Sequence, residues 1–165
     1  MGLKSNVNDV SHPNNNRMIK ELLYAHCKKY LESKRSLLEE QKKMLQLALT
    51  SEDKSTAGDK HETGRAMIHL EREKLGNQMA MVDKSWQKLN ALKNHLSTNS
   101  VGLGSVVLTD NANYYISIAS NFCKINSKKY YCISAQSPIG KILLGKKVND
   151  KFEFNNCLSI ILEIK

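Results

Sequence analysis

Ala57-Gly58-Asp59-Lys60-His61-Glu62-Thr63-Gly64-Arg65 separates two long segments of helical periodicity, and reading it as the tip of a helical hairpin decides the rest of the fold. It carries two carboxylates three residues apart, Asp59 and Glu62. In a helical turn that spacing puts both side chains on one face. Two roles fit the pair. As a capping box, the Asp59 oxygen accepts from the Glu62 amide while Glu62 reaches back, both acids facing the positive end of the helix dipole. As accessory ligands, the same acids hold a divalent metal inside a partner's active site. The tip alone leaves both open.

Upstream, a helical pattern starts near Arg17. Leu23, Cys27, Tyr30, Leu37, Met44 and Ala48 recur at helical steps, and Leu31, Leu38 and Leu45 widen the stripe. Lys34 and Gln41 interrupt it, and no Gly or Pro falls between Arg17 and Leu49. The pattern predicts an amphipathic helix with a coiled-coil-like seam. Thr50 to Gly58 breaks it. A second helix is expected from about Asp59 to Leu96, with Met67, Leu70, Met81, Val82, Trp86, Leu89, Leu92 and Leu96 as its apolar positions. Its methionines read as core filler. Gly76 and Asn77 weaken its middle, since Gly costs about 1 kcal/mol relative to Ala in a helix. Two such helices joined by a short polar link fold back antiparallel.

The ends of the chain read differently. Residues 1–16 are polar and Asn-rich, a disordered leader by composition. Residues 17–97 form the predicted hairpin, with its tip near 50–64. Residues 98–104, with Gly102 and Gly104, mark a linker. From 105 to 165 the period changes to that of strands: Ser105 to Thr109, Tyr114 to Ala119, Lys129 to Ser134, Lys151 to Phe154 and Leu158 to Ile164. Asp110-Asn111 and Asn155-Asn156 fall where turns are needed, and Asn tolerates positive φ. Among these strands, Ser137-Pro138-Ile139-Gly140-Lys141-Ile142-Leu143-Leu144-Gly145 predicts one short helix. Ser137 is its N-cap, Pro138 its first residue and Gly145 its left-handed stop. Ile139, Ile142, Leu143 and Leu144 would plug the core. The fold class is therefore α+β: an antiparallel coiled-coil hairpin, then a small, mostly antiparallel β domain with one short helix.

Composition narrows the function classes. The chain has 165 residues, 25% charged and only 6% aromatic, and a formal net charge of +9. The excess divides as 0 over residues 1–16, +5 over 17–100 and +4 over 101–165. Such a balance favours a polyanionic or acidic partner, nucleic acid among them. Cys27, Cys123, Cys132 and Cys157 show no C-x-x-C pairing, which argues against zinc. No set of His, Cys and carboxylates has ligand spacing, so an independent metalloenzyme is not expected. Without an apolar signal segment or a run near the roughly 20 residues of a membrane span, the expectation is a cytoplasmic protein with no membrane association.

The stretch Ser134-Ala135-Gln136-Ser137-Pro138-Ile139-Gly140-Lys141-Ile142-Leu143-Leu144-Gly145-Lys146-Lys147-Val148-Asn149-Asp150 resembles the carboxy-terminal signature of the bacterial transcript cleavage factors, GreA and GreB. The order of parts over residues 17–165 is similar too: coiled coil, Gly-Asp-x-x-Glu tip, linker, β domain. The resemblance implies an FKBP-like carboxy-terminal domain and a transcription elongation factor that binds RNA polymerase. It implies a coiled coil that enters the polymerase's secondary channel. There Asp59 and Glu62 would share the second catalytic Mg²⁺, near backtracked RNA that the polymerase itself cuts. The factor would be an accessory and not an enzyme. Ser137, Pro138, Ile139, Gly140 and Gly145 would belong to the domain that docks on polymerase. The family tip continues through Glu-Asn-Ala-Glu-Tyr, whereas Lys60, His61, Thr63 and Gly64 flank the acids here. Asn149 stands where the family has Gly, a swap that calls for positive φ. Two alternatives share the sequence features: a channel-binding regulator without cleavage, and a coiled-coil interaction protein unrelated to transcription.

Overall fold

The computed structural model describes residues 13–53, 60–92 and 99–165. Of the expected tip near 50–64, residues 54–59, Asp59 among them, lie outside the described residues, as does the expected helix end at Leu96. Helix α1 (Pro13–Asp53) and helix α2 (Lys60–Ala91) run 41 and 32 residues. At 1.5 Å per residue they are about 60 and 48 Å long. They pack on each other through one apolar cluster that buries Leu31, Leu38, Leu75, Val82 and Leu89.

Both ends of α1 differ from expectation. As described it runs from Pro13, four residues before Arg17, and residues 1–12 of the expected leader lie outside the described residues. Proline suits a first helical turn, where its missing N–H costs nothing and its φ is already set. At the other end α1 runs through Thr50 to Asp53. Thr50 Oγ1 donates to the Gln46 carbonyl at 3.0 Å, and Ser51 Oγ to that of Ala48 at 2.9 Å. Bonded back to their own helix, these side chains do not pull the backbone out of it. Gly76 does not interrupt α2 either. A Cβ there would meet nothing within 4 Å, so no neighbour demands the glycine.

The seam is narrower than the sequence stripe. In α2, Leu75, Val82 and Leu89 are buried at seven-residue steps, with Met79 and Trp86 packed between them. Met67 and Met81 are instead 64% and 68% exposed, which corrects their reading as core filler, and Leu70, expected on the apolar stripe, is 66% exposed. In α1, Leu31 and Leu38 are buried with Leu45 packed beside them, while Leu37 and Met44 are exposed. Adjacent residues on a helix point about 100° apart. With one partner helix, only one of two neighbouring stripes finds cover.

Six strands follow: β1 (Val106–Thr109), β2 (Asn113–Ser117), β3 (Cys123–Ile125), β4 (Lys128–Ser134), β5 (Lys151–Phe154) and β6 (Cys157–Ile164), with α3 (Pro138–Leu143) between β4 and β5. They form one sheet in the order β3-β4-β2-β1-β6-β5. Every pairing is antiparallel except β2 with β4, which runs parallel from Asn113↔Tyr130 to Ser117↔Ser134. The sheet is thus mostly antiparallel, as expected, with one parallel pairing that the sequence did not show. The cause is β3, a three-residue strand too short to show alternation in sequence. The chain leaves β2, lays β3 at the edge, and returns through Asn126 and Ser127, at φ 48° and 63°, to insert β4 between them. Two consecutive positive-φ residues make a hairpin turn whose twist matches the strands. Asn155 and Asn156, at φ 53° and 60°, do the same between β5 and β6, as their sequence implied.

Alternation along the strands gives the sheet two apolar faces. Val106, Tyr115, Tyr130 and Cys132 face the hairpin and share a cluster with Ile19, Leu23, Cys27 and Leu89. Val107, Ile116 and Ile161 face the other way and meet Ile139 and Leu143 of α3, with Val101 and Phe152. The base of the hairpin is thus held by the same buried cluster as one face of the sheet. Leu23 and Leu89 are fully buried there, each removal from water contributing about 1.5–3 kcal/mol.

Candidate functional site

Glu62 lies in the first turn of α2 with its side chain exposed. Its carboxylate is open to solvent, and its place at the helix start is favourable to the dipole. Asp59, the other half of the pair, lies outside the described residues. Among the described residues no three His, Cys, Asp or Glu side chains gather as metal ligands. No described helix is long and apolar enough to cross a membrane.

The second candidate, Ser137 to Asp150, is described throughout. Ser137 Oγ accepts from the Gly140 amide at 3.1 Å and donates to the Ser134 carbonyl at 2.7 Å, while Pro138 occupies the first turn. Gly140 presses against β4. A Cβ there would lie 2.2 Å from the Ser134 carbonyl oxygen, so only glycine fits. Gly145, at φ +78°, stops the helix in the left-handed region that favours glycine. Asn149 has φ 73°, the positive value its place in the motif called for. The Asp150 carboxylate accepts from the Lys147 amide at 2.7 Å and closes that turn. Ile139 and Leu143 are buried and Ile142 packs beside them, but Leu144 is 39% exposed and turns away from the core. Ser137, Gly140 and Gly145 therefore build the shape of this segment, and Pro138, Lys141 and Leu144 are what it shows to solvent.

Two further groupings arise only in the fold. At the junction of α1 and the sheet, Cys27 Sγ lies 3.5 Å from Ser117 Oγ and 3.8 Å from Ser120 Oγ. His26 Nε2 lies 2.9 Å from the Asn121 carbonyl oxygen. The Cys132 thiol, from β4, also reaches Cys27. Its hydrogen bond favours the Cys27 thiolate and lowers that group against the opposing cost of burial, helped by Ser117, Ser120 and His26. The same bond, with burial and the neighbouring charge, pushes Cys132 up. Both thiols are buried where α1 meets the sheet, which suits a junction more than a nucleophile offered to substrate. Spread as they are along the sequence, nothing in their spacing forecast the meeting.

The other grouping lies on the opposite face of the sheet, beyond α3. Lys124 and Lys129 are directly opposed across β3 and β4. Tyr131 is two residues beyond Lys129 and pairs with Tyr114 of β2. Lys129 Nζ sits 4.0 Å from the Phe122 ring centroid and 4.8 Å from that of Tyr131. The Tyr131 and Tyr114 centroids are 6.1 Å apart. Phe122 and Tyr131 are 46% and 39% exposed. Sequence reading passed over this patch because β3, which carries part of it, was not foreseen.

Taken together the parts define a class: an α+β chain in which a long two-helix hairpin rests its base on a small mixed sheet. No known protein family's sequence profile matches the chain, and no curated protein matches it in sequence. Among the solved structures that align with it are two of low superposition. One is Gfh1 from Thermus aquaticus, at 24% identity and TM-score 0.32; the other, described as the transcription factor Gfh1, is at 22% and 0.34. Each alignment covers 86% of this chain and 92% of the other.

Proposed function

We propose that the chain is a transcription elongation factor of the Gre type, which binds RNA polymerase, places its hairpin tip in the secondary channel and stimulates cleavage of backtracked RNA. The observation that supports this reading is one of order. The Ser134–Asp150 stretch that resembles the Gre signature is a tightly specified capped helix and turn on a sheet. It follows two long helices packed on each other, the second of which starts with Glu62 in its first turn, Asp59 standing three residues earlier in the sequence. A hairpin of this length reaches far from the sheet that anchors it, as insertion into a channel requires.

The implied Mg²⁺ fits the chemistry of the donor set. Magnesium takes one or two protein carboxylates and fills its octahedron with water and phosphate oxygens. Asp59 and Glu62 would supply those carboxylates, with the polymerase providing the rest. In a two-metal site the ion stabilises the attacking and leaving oxygens of an in-line displacement. What this chain contributes is placement: the helix start holds Glu62 in solvent, free to engage a partner's metal. Lys60 adds positive charge beside the acids and suits a phosphate. The β domain would hold the factor on polymerase, and the protein itself would remain an accessory in the cytoplasm.

The test is RNA cleavage in stalled complexes of the source organism's polymerase, with wild-type protein, Asp59→Asn, Glu62→Gln and the double variant. Asn and Gln keep the capping hydrogen bonds, so folding and polymerase binding should persist while cleavage falls sharply. The double variant should be little worse than the weaker single one, because both acids serve one metal. Wild-type protein that binds polymerase without stimulating cleavage at any Mg²⁺ concentration would select the regulator reading, which the altered tip flanks at Lys60, His61, Thr63 and Gly64 favour. Protein that does not bind polymerase at all would sink both and leave a coiled-coil interaction protein.

A further inference from the structure

We infer that the outer face of β3 and β4 is a binding site for single-stranded nucleic acid, with phosphates on Lys124 and Lys129 and a base stacked on Tyr131 or Phe122. This site is on the sheet, separate from the hairpin tip, and does not depend on the polymerase reading. Its first support is an arrangement that is unfavourable without a ligand. Lys124 and Lys129 occupy directly opposed positions on antiparallel strands, where like charges destabilise a sheet. No acid offsets them nearby in the chain: residues 111–149 contain six lysines and no Asp or Glu. A lysine on an edge strand also discourages strand addition, but that purpose is served by one lysine and requires no aromatic rings.

The rings are the second support. Phe122 and Tyr131 flank the two lysines and are substantially exposed. Tyr114 backs Tyr131 from the neighbouring strand. Aromatic faces beside a basic track are what sequence-tolerant binding of single strands uses, since every base has a π face. An acidic peptide would need the lysines alone. In the free protein Lys129 lies over both rings. A cation–π contact at an exposed site is weaker than base stacking, so an arriving strand can draw the ammonium to a phosphate and take its place on the ring.

The experiment is fluorescence anisotropy of a labelled oligouridylate of about 12 nucleotides, within the span of known single-strand sites, titrated with the full chain. At about 50 mM salt the wild type should bind saturably, with log K falling by about 0.7 per phosphate neutralised per unit of log salt. Lys124→Glu with Lys129→Glu should weaken binding roughly tenfold or more. Tyr131→Leu, which keeps apolar bulk but removes the π face, should weaken it roughly fivefold or more, and Tyr131→Phe should not. Lys42→Glu with Lys43→Glu, an equal charge change on the exposed side of α1, should leave the affinity near wild type. Circular dichroism on each variant confirms that the fold is intact. Three results overturn the proposal: no saturable binding, equal loss from the α1 variant, or displacement of the oligonucleotide by polyglutamate at equal charge concentration. The last would assign the face to an acidic protein surface.

Discussion

Replacing Gly140 with alanine should be far more damaging than replacing Gly145, although both lie in one short segment. The added Cβ at 140 would stand 2.2 Å from the Ser134 carbonyl oxygen, with Ala135 Cα and Ser137 Oγ each at 3.0 Å. The nearest obstacle is backbone, so α3 must withdraw by close to an ångström. Overpacking of that kind costs about 1–3 kcal/mol. Withdrawal also strains the two hydrogen bonds that Ser137 makes to Ser134 and Gly140, and a lost N-cap is worth about 1 kcal/mol. The expected total is about 2–4 kcal/mol. For a chain of this size each kcal/mol lowers Tm by about 2–4 °C, so the melting point should fall by about 5–15 °C. At Gly145 a Cβ meets nothing within 4 Å and the only penalty is φ +78°, about 1–2 kcal/mol in the left-handed region, reduced by the lower entropy of the unfolded chain. Urea and thermal melts followed by circular dichroism read both. If Gly140→Ala loses no more stability than Gly145→Ala, the close approach of α3 to β4 is wrong.

Other expectations follow from the same geometry. Leu38→Ala should cost about 2–5 kcal/mol and Leu37→Ala less than about 0.5, since Leu38 lies in the seam and Leu37 is exposed; similar losses in urea melts would place the seam one residue away. The same contrast should hold between Leu143, fully buried, and Leu144, 39% exposed, with about 2–5 kcal/mol at 143 alone. Ser127→Gly, which relieves a φ of 63° and makes an Asn-Gly hairpin turn, should stabilise by about 1 kcal/mol; a loss of stability would argue against the β3–β4 turn. The Tyr115 phenol is pushed up, first by burial and then by the neighbouring thiols Cys27 and Cys132 and by Tyr24. The unfolded chain then loses this proton near pH 10 while the folded chain keeps it, so stability is present below pH 10 and declines above it. Melts at pH 8 and pH 11 should show the decline, and Tyr115→Phe should lessen it.

Much of the candidate site could be read as sequence because it is local. Ser137 caps, Pro138 starts and Gly145 stops a helix within nine residues, and each does so through its own backbone chemistry. Asn149 called for positive φ from its place in a motif and has it. What was misread concerns partners. Leu37, Met44, Met67, Leu70 and Met81 are as apolar as the residues that are buried, and only the register of one helix on the other leaves them in solvent. Gly140 illustrates both kinds of information: its presence in a helix is visible in the chain, whereas its reason, the Ser134 carbonyl, is a contact with the preceding strand.

By itself the sequence determined the alternation of elements, the long helical hairpin and the change to strands after residue 100, because helix and strand periods are written in neighbouring residues. It also determined the acids at 59 and 62 and the capped turn at 137–145. Tertiary structure alone decided that β4 inserts beside β2 in parallel, since a three-residue β3 has too little pattern to announce itself. It decided the meeting of Cys27 with Cys132, and the square of Phe122, Lys124, Lys129 and Tyr131. Those groupings depend on strand register, and register is set by which faces are buried across the whole sheet.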